Sequence, residues 1–293
     1  MDSYLGSQRK LMRITSIKIH SKDRSKNYLT RMGENQHCSE IVSFIHIFHN
    51  LKYAIVFDPF EPHIVKNAMD RRLDKELYDQ SEIDNLSYIS KPRQILFSFT
   101  THGHHGHSSG NEWMKNICEN VLIGESKYNN EIVEKPFHTG KFTEGLFTHN
   151  DLKKISIQIK ILYTPCHTLD SYCFFVSTDI KRYLVTGDTF SFLGISRFFN
   201  TNSQAMVDNI HKICENVNDY ATLLYGHDYK YSNIAFVESI ADKIPSEIRS
   251  KTFLKLIEEK KYNPFFNLKK VNLDCSDDMK MSTLRCWRND FGW

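Results

Sequence analysis

Four histidines fall within six residues, His102, His104, His105 and His107, directly after a stretch, 94–99, that reads as a buried strand. Imidazole is the commonest protein ligand for zinc, iron and manganese, and it binds through a neutral nitrogen. Alternate residues of an extended segment face the same way, so His102 and His104 can meet one ion. His107, past Gly106, can turn toward a second. Alone, such a cluster could be an incidental histidine tract. Further donors follow, each just after a predicted strand: His167 behind 155–162, Asp188 behind 182–185, and His227 behind 221–225. Taken singly, each is more often a surface or turn residue. Their order and spacing together point to a site for one or two divalent cations, zinc first, with iron or manganese as alternatives.

The remaining pattern mixes strands with helices. Segments 40–47 and 53–57 read as a hairpin that proline stops at Asp58-Pro59. Apolar residues at helical spacing mark 61–73, and 204–217 reads as a second helix. The polar stretch 75–91 reads as a surface insertion, 110–118 as a helix start, 121–123 as a short strand, 127–145 as loop, and 171–177 as a strand. From Ser232 onward helices dominate, around the loop Tyr262-Asn263-Pro264-Phe265. The expectation is an α/β fold with ligands at strand ends.

Composition narrows the partners. Lys and Arg number 38 against 35 Asp and Glu in 293 residues, a balance that does not argue for nucleic acid or membrane as partner. No apolar run approaches the roughly 18 residues that cross a bilayer. The first 20 residues lack an apolar core of the secretory kind, and Asp2 speaks against a mitochondrial presequence. The seven cysteines, from Cys38 to Cys286, show no paired spacing. Reduced thiols and a cytoplasmic location are expected.

The ordered motifs resemble the metallo-β-lactamase superfamily, whose first motif is His-x-His-x-Asp-His. Their flanks resemble glyoxalase II: Thr101 before the cluster, Gly110-Asn111-Glu112 after it, Thr164-Pro165-Cys166-His167-Thr168, Thr186-Gly187-Asp188-Thr189, Gly226-His227 with Tyr229 and Asn233, and Tyr262-Asn263-Pro264-Phe265. The resemblance spans roughly 58–291. It implies a four-layer αβ/βα sandwich over 13–227 followed by a helical substrate-binding domain over 228–293. It implies hydrolysis of S-acylglutathione thioesters, such as S-lactoylglutathione, by a metal-activated water, in a monomer. By position His102, His104 and His167 match the first ion's ligands, His107 and His227 the second's, and Asp188 the bridging carboxylate. Asp188 and His107 match the residues nearest the chemistry. Arg285 and Arg288 match a basic pair that holds the tripeptide, and Arg197, Phe199 and Tyr229 match other pocket residues. Cys166 has no nucleophilic role in such relatives.

One departure bears on the mechanism. The family's second-ion aspartate falls at position 106, where this chain has glycine. Three readings stand: a tightly bound first ion with a weak second; His105 swinging in as a substitute, helped by glycines 103 and 106; or a chain that binds metal or glutathione but turns over poorly. A mononuclear iron persulfide dioxygenase is the enzymatic alternative. Asp170 and Asp228, beside ligand histidines, read either as their hydrogen-bond partners or as solvated loop acids.

Overall fold

Alternation of apolar side chains lets one strand face two cores at once, and the two sheets are built on that property. The computed structural model describes residues 12–21, 41–124 and 140–291. Expectations for the first eleven residues, Cys38, Glu40 and most of the 127–145 stretch lie outside them. In chain order the strands are Arg13–Ser21 (β1), Ile41–His49 (β2), Tyr53–Phe57 (β3), Leu77–Asp79 (β4), Gln94–Thr100 (β5), Val121–Gly124 (β6), Gly140–Phe142 (β7), Gly145–Phe147 (β8), Gln158–Tyr163 (β9), Tyr172–Ser177 (β10), Arg182–Gly187 (β11), Phe190–Ser191 (β12), Gly194–Ile195 (β13) and Thr222–Tyr225 (β14).

One sheet runs β4-β1-β2-β3-β5-β6-β7 and the other β14-β11-β10-β9-β8. Between them lies an aromatic-rich layer. Phe48, Phe57, Phe97 and Phe99 of the first sheet meet Ile159, Ile161, Phe174 and Val185 of the second. The alternate residues of the first sheet, among them Ile45, Ile47 and Val56, face outward onto Val65, Ala68 and Met69 of the Pro62–Met69 helix. The outer face of the second sheet, with Cys173, Leu184 and Leu223, is covered by Met206, Ile210 and Ile213 of the Ser203–Asn216 helix. Helix, sheet, sheet, helix is the expected αβ/βα sandwich.

The helices beyond His227 do not carry a core of their own. Ile234, Phe236, Met281 and Leu284 join the same apolar cluster as β10, β11 and β14. Glu259 ties the junction. Its carboxylate is fully buried and accepts from the Tyr225 hydroxyl (2.6 Å), the Leu193 amide (3.0 Å) and the Asn263 amide group (2.7 Å).

Two segments differ from their sequence reading. Residues 75–91 are not a mere surface insertion: β4 pairs in parallel with β1 at the sheet edge, and Tyr78 and Ile83 are buried. The polar residues there form a capping box, Asp79 with Glu82, on the Gln80–Ile83 turn. A three-residue strand is too short to show a period, so the polar cap dominates the pattern. Strand β1, not foreseen, pairs with β2 along its whole length. It alternates polar and apolar residues like a half-exposed strand, yet Thr15 and Ser16 are buried against His49 (3.0 Å) and His46 (2.8 Å).

Burial raises the Glu259 carboxyl from 4.5 to about 7, against the pull of its three donors. The folded state therefore binds this proton more tightly than the unfolded chain. The stability it contributes is full below about pH 4.5 and is lost as pH rises through about 7. Glu259→Gln removes that dependence. Measured by urea unfolding, the difference between variant and wild type should move in the variant's favour across this window; a difference independent of pH would contradict the assignment.

Candidate metal centre

The chain leaves β5 at Thr100 and turns at once. His104 sits at the N-terminal boundary of a one-turn helix, His105–Ser108, with φ −62° and ψ 143°. That geometry lets His102 and His104 face one point while His107, on the turn itself, faces another. The second sheet delivers the remaining donors from the loops after β9, β11 and β14. His102 Nε2 and His167 Nε2 lie 3.1 and 3.0 Å from His104 Nδ1, and 3.9 and 3.4 Å from Asp188 Oδ2. His107 Nε2 lies 3.1 Å from His227 Nε2 and 3.3 Å from Asp188 Oδ1, and His227 Nε2 is 3.3 Å from Asp188 Oδ2. Two donor groups thus share one carboxylate: His102, His104, His167 with Asp188, and His107, His227 with Asp188.

Hydrogen bonding decides where the protons sit. The Thr101 hydroxyl donates to Asp58 (2.9 Å), so it accepts from His102 Nδ1 (3.1 Å). His167 Nδ1 donates to the Arg197 carbonyl (3.0 Å) and His107 Nδ1 to Asp58 (2.8 Å). The cluster-facing nitrogens of His102 and His167 are then lone pairs, 3.1 and 3.0 Å from His104 Nδ1, a crowding that needs a cation or a proton between the rings. Burial, and the neighbouring histidines, hold the His102 proton affinity well below normal; burial brings His167 down to about 4. His107 behaves differently. Burial opposes its charge, but Asp188 and Asp58 together carry it up to about 10. Asp188 is held well below the usual carboxylate range by the His227 and His107 fields, against its burial. The neutral His102 and His167 imidazoles beside an ionised carboxylate are donors of the kind that divalent zinc, iron or manganese takes, and an ion at His107 would displace the proton that Asp188 and Asp58 favour there.

Close approaches make this crowding possible. A Cβ on Gly226 would stand 2.6 Å from both Asp188 Oδ1 and His107 Cε1, so only glycine lets β14 deliver His227 there. Gly187 adopts φ +48°, and a side chain on it would strike Thr101.

The other predicted residues gather at the rim. The exposed Phe199 ring meets the edges of His104 and His167 at centroid distances of 5.5 and 5.1 Å. Tyr229 packs on His227 at 5.6 Å, and burial and Asp188 raise its hydroxyl. Arg285 donates to the Ile195 carbonyl (2.6 Å) and to Asn289, and Arg288 donates to Asn233 (2.9 Å) and Ser232 (2.8 Å). Burial, then the charges of Arg288 and Arg197, bring Arg285 down to about 9. Three guanidinium groups therefore feel one another at this end of the Asp277–Asp290 helix. His105 is exposed and belongs to neither donor group.

Asp58 was missed as a functional residue, since Asp-Pro after a strand reads as a turn. It is buried in the left-handed region (φ +53°) and accepts from the Thr101 amide (2.7 Å), the Thr101 hydroxyl and His107. The available signal was an acid ending a buried strand beside the one that carries the histidines.

The metallo-beta-lactamase superfamily profile matches residues 90–227, which hold every donor above. A probable hydroxyacylglutathione hydrolase of Encephalitozoon cuniculi is 38% identical over 251 residues, covering 85% of this chain and 93% of that protein. The chain belongs to the hydroxyacylglutathione hydrolase family. A second relative, a probable hydroxyacylglutathione hydrolase of Schizosaccharomyces pombe, is 30% identical over 227 residues, 74% of this chain and 78% of that one. Among solved structures, a metallo-β-lactamase from Staphylococcus aureus superposes with a TM-score of 0.58 at 16% identity, covering 94% of this chain and 67% of that one, a likeness of fold. The glyoxalase II resemblance read from the motifs is thereby shown.

Asp58 orients His107 and, through Thr101, His102. Asp58→Asn offers an amide where three donors converge, and should weaken divalent-ion affinity about 10–100-fold. Competition with a chromophoric chelator measures this; unchanged affinity would remove the orienting role.

Proposed function

We propose that this protein hydrolyses S-acylglutathione thioesters, S-lactoylglutathione to lactate and glutathione, as its family relatives' names describe for them. The observation that carries the reading is the pair of donor groups meeting on Asp188, with arginines gathered beside them. His102, His104, His167 and Asp188 would hold a first ion, zinc by preference, and His107 and His227 with Asp188 a second. A bound divalent ion supplies water acidified toward neutrality and a positive charge facing the developing oxyanion.

The chain's own residues do the rest. Arg197, Arg285 and Arg288 supply positive charge for the tripeptide's two carboxylates, and Tyr229 stands between them and His227. Phe199 walls the opening beside His104 and His167, limiting water around the acyl group. Asp188 and His107 sit where the attacking water would lose its proton. Cys166 offers no nucleophile: it is buried, and burial raises its thiol to about 11.

The second group lacks the carboxylate the family carries at position 106. A Cβ built on Gly106 meets only His227 Cε1, at 3.7 Å, so a side chain there would enter the His107–His227 group without a clash. This favours a first ion held tightly and a second held weakly over substitution by the outward-facing His105. We place the enzyme in the cytoplasm as a monomer. No helix among the described residues is long and apolar enough to cross a membrane.

Two experiments test the reading. His102→Ala or Asp188→Ala should reduce hydrolysis of S-lactoylglutathione to near the uncatalysed rate while the fold persists by circular dichroism; undiminished turnover would remove the metal mechanism. Elemental analysis should find about one tightly held ion per wild-type chain and about two in Gly106→Asp, with faster turnover in the variant. Equal metal content in both would contradict the weakened second site.

A further inference from the structure

Four of the five ligand-type imidazoles have a partner on the nitrogen facing away from the cluster. His102 Nδ1 meets Thr101 at 3.1 Å, His107 Nδ1 meets Asp58 at 2.8 Å, His167 Nδ1 meets the Arg197 carbonyl at 3.0 Å, and His227 Nδ1 meets Ser43 at 2.8 Å. Such partners fix the tautomer and aim the ring. His104 is the exception. It turns Nδ1 into the cluster, and its outward Nε2 makes no hydrogen bond among the described residues.

A carboxylate stands nearby. Asp170, on the half-buried loop just after His167, belongs to neither donor group, and no hydrogen bond or ion pair engages it among the described residues. Gly103, immediately before His104, leaves the space it fills: a Cβ there would lie 2.9 Å from Asp170 Oδ2. The other acid beside a ligand histidine is committed elsewhere. Asp228 pairs with Lys18 at 3.0 Å and accepts from the Lys230 amide at 3.2 Å.

We propose that Asp170 is the positioning partner of His104: once a cation is bound, its carboxylate takes the Nε2 hydrogen, directly or through one water, and fixes the ring that turns Nδ1 inward. The glycine at 103 and the carboxylate at 170 then form one device, because a side chain at the first would displace the second. This inference rests on His104 being a ligand, as the proposed function requires.

The test is zinc affinity of the metal-free protein, read by competition with a chromophoric chelator, in a double-mutant cycle. Asp170→Ala should weaken the tightest site about 10-fold or more. Gly103→Ala, which pushes the carboxylate aside, should weaken it by a similar factor, and the double variant should be no weaker than either single one. The unfolding midpoint of the metal-free protein should not move, which separates ring positioning from a structural role. Asp170→Ala within about 2-fold of wild type, or single effects that multiply in the double variant, overturns the inference alone. Wild-type protein that binds no zinc overturns the proposed function and this inference with it.

Discussion

Asp188 presents two oxygens to a ring of imidazole nitrogens that cannot tolerate one another without a positive charge among them. At His102 and His167 the outer nitrogen faces an acceptor, so the inner one carries a lone pair. Inner nitrogens of neighbouring rings stand 3.0 to 3.1 Å apart across the cluster. The fold is arranged to hold them there. The donors leave the ends of β5, β9, β11 and β14, two sheets joined by an aromatic layer that includes Phe57, Phe99 and Phe174. The stiffness of that layer sets the spacing of donors drawn from distant parts of the chain.

The two halves of the cluster are held unequally. The first has three imidazoles and the Asp188 carboxylate. The second has two imidazoles and shares that carboxylate, with glycine at 106. Yet the scaffold of the second half is complete. Strand β2 grips the His227 loop at four points: the Phe44 amide donates to Gly226, the Asp228 amide to Val42, His46 to the Tyr225 carbonyl, and Ser43 pairs with His227. That scaffold is what the proposed second, more weakly held ion would rest on.

Much of this was legible in the sequence because the ligand chemistry is concentrated. Four histidines behind one apolar strand, and single donors behind three others, marked every member of both groups, and the flanking motifs resolved the family. The α/β class followed from the strand and helix patterns, and the four-layer sandwich from the family resemblance. What stayed hidden depends on tertiary contact. Asp58 looks like a turn acid until His107 and Thr101 fold against it. Tyr78 and Ile83 lie in a polar stretch whose polarity is a helix cap. Thr15 and Ser16 interrupt the apolar pattern of β1, and only His46 and His49 on the neighbouring strand explain why they can be buried. Asp170 and Gly103 are 67 positions apart in the chain and neighbours in space, and no local pattern reveals that contact.

The central claim is that the imidazoles of His102, His104 and His167 converge with Asp188 on a divalent cation. Anomalous diffraction at the zinc edge, from crystals grown with zinc, addresses it most directly. The account predicts a strong peak about 2 Å from His102 Nε2, His104 Nδ1, His167 Nε2 and an Asp188 oxygen, with a weaker one or none between His107 and His227. A peak confined to the His107–His227 side, or none at either, would contradict it.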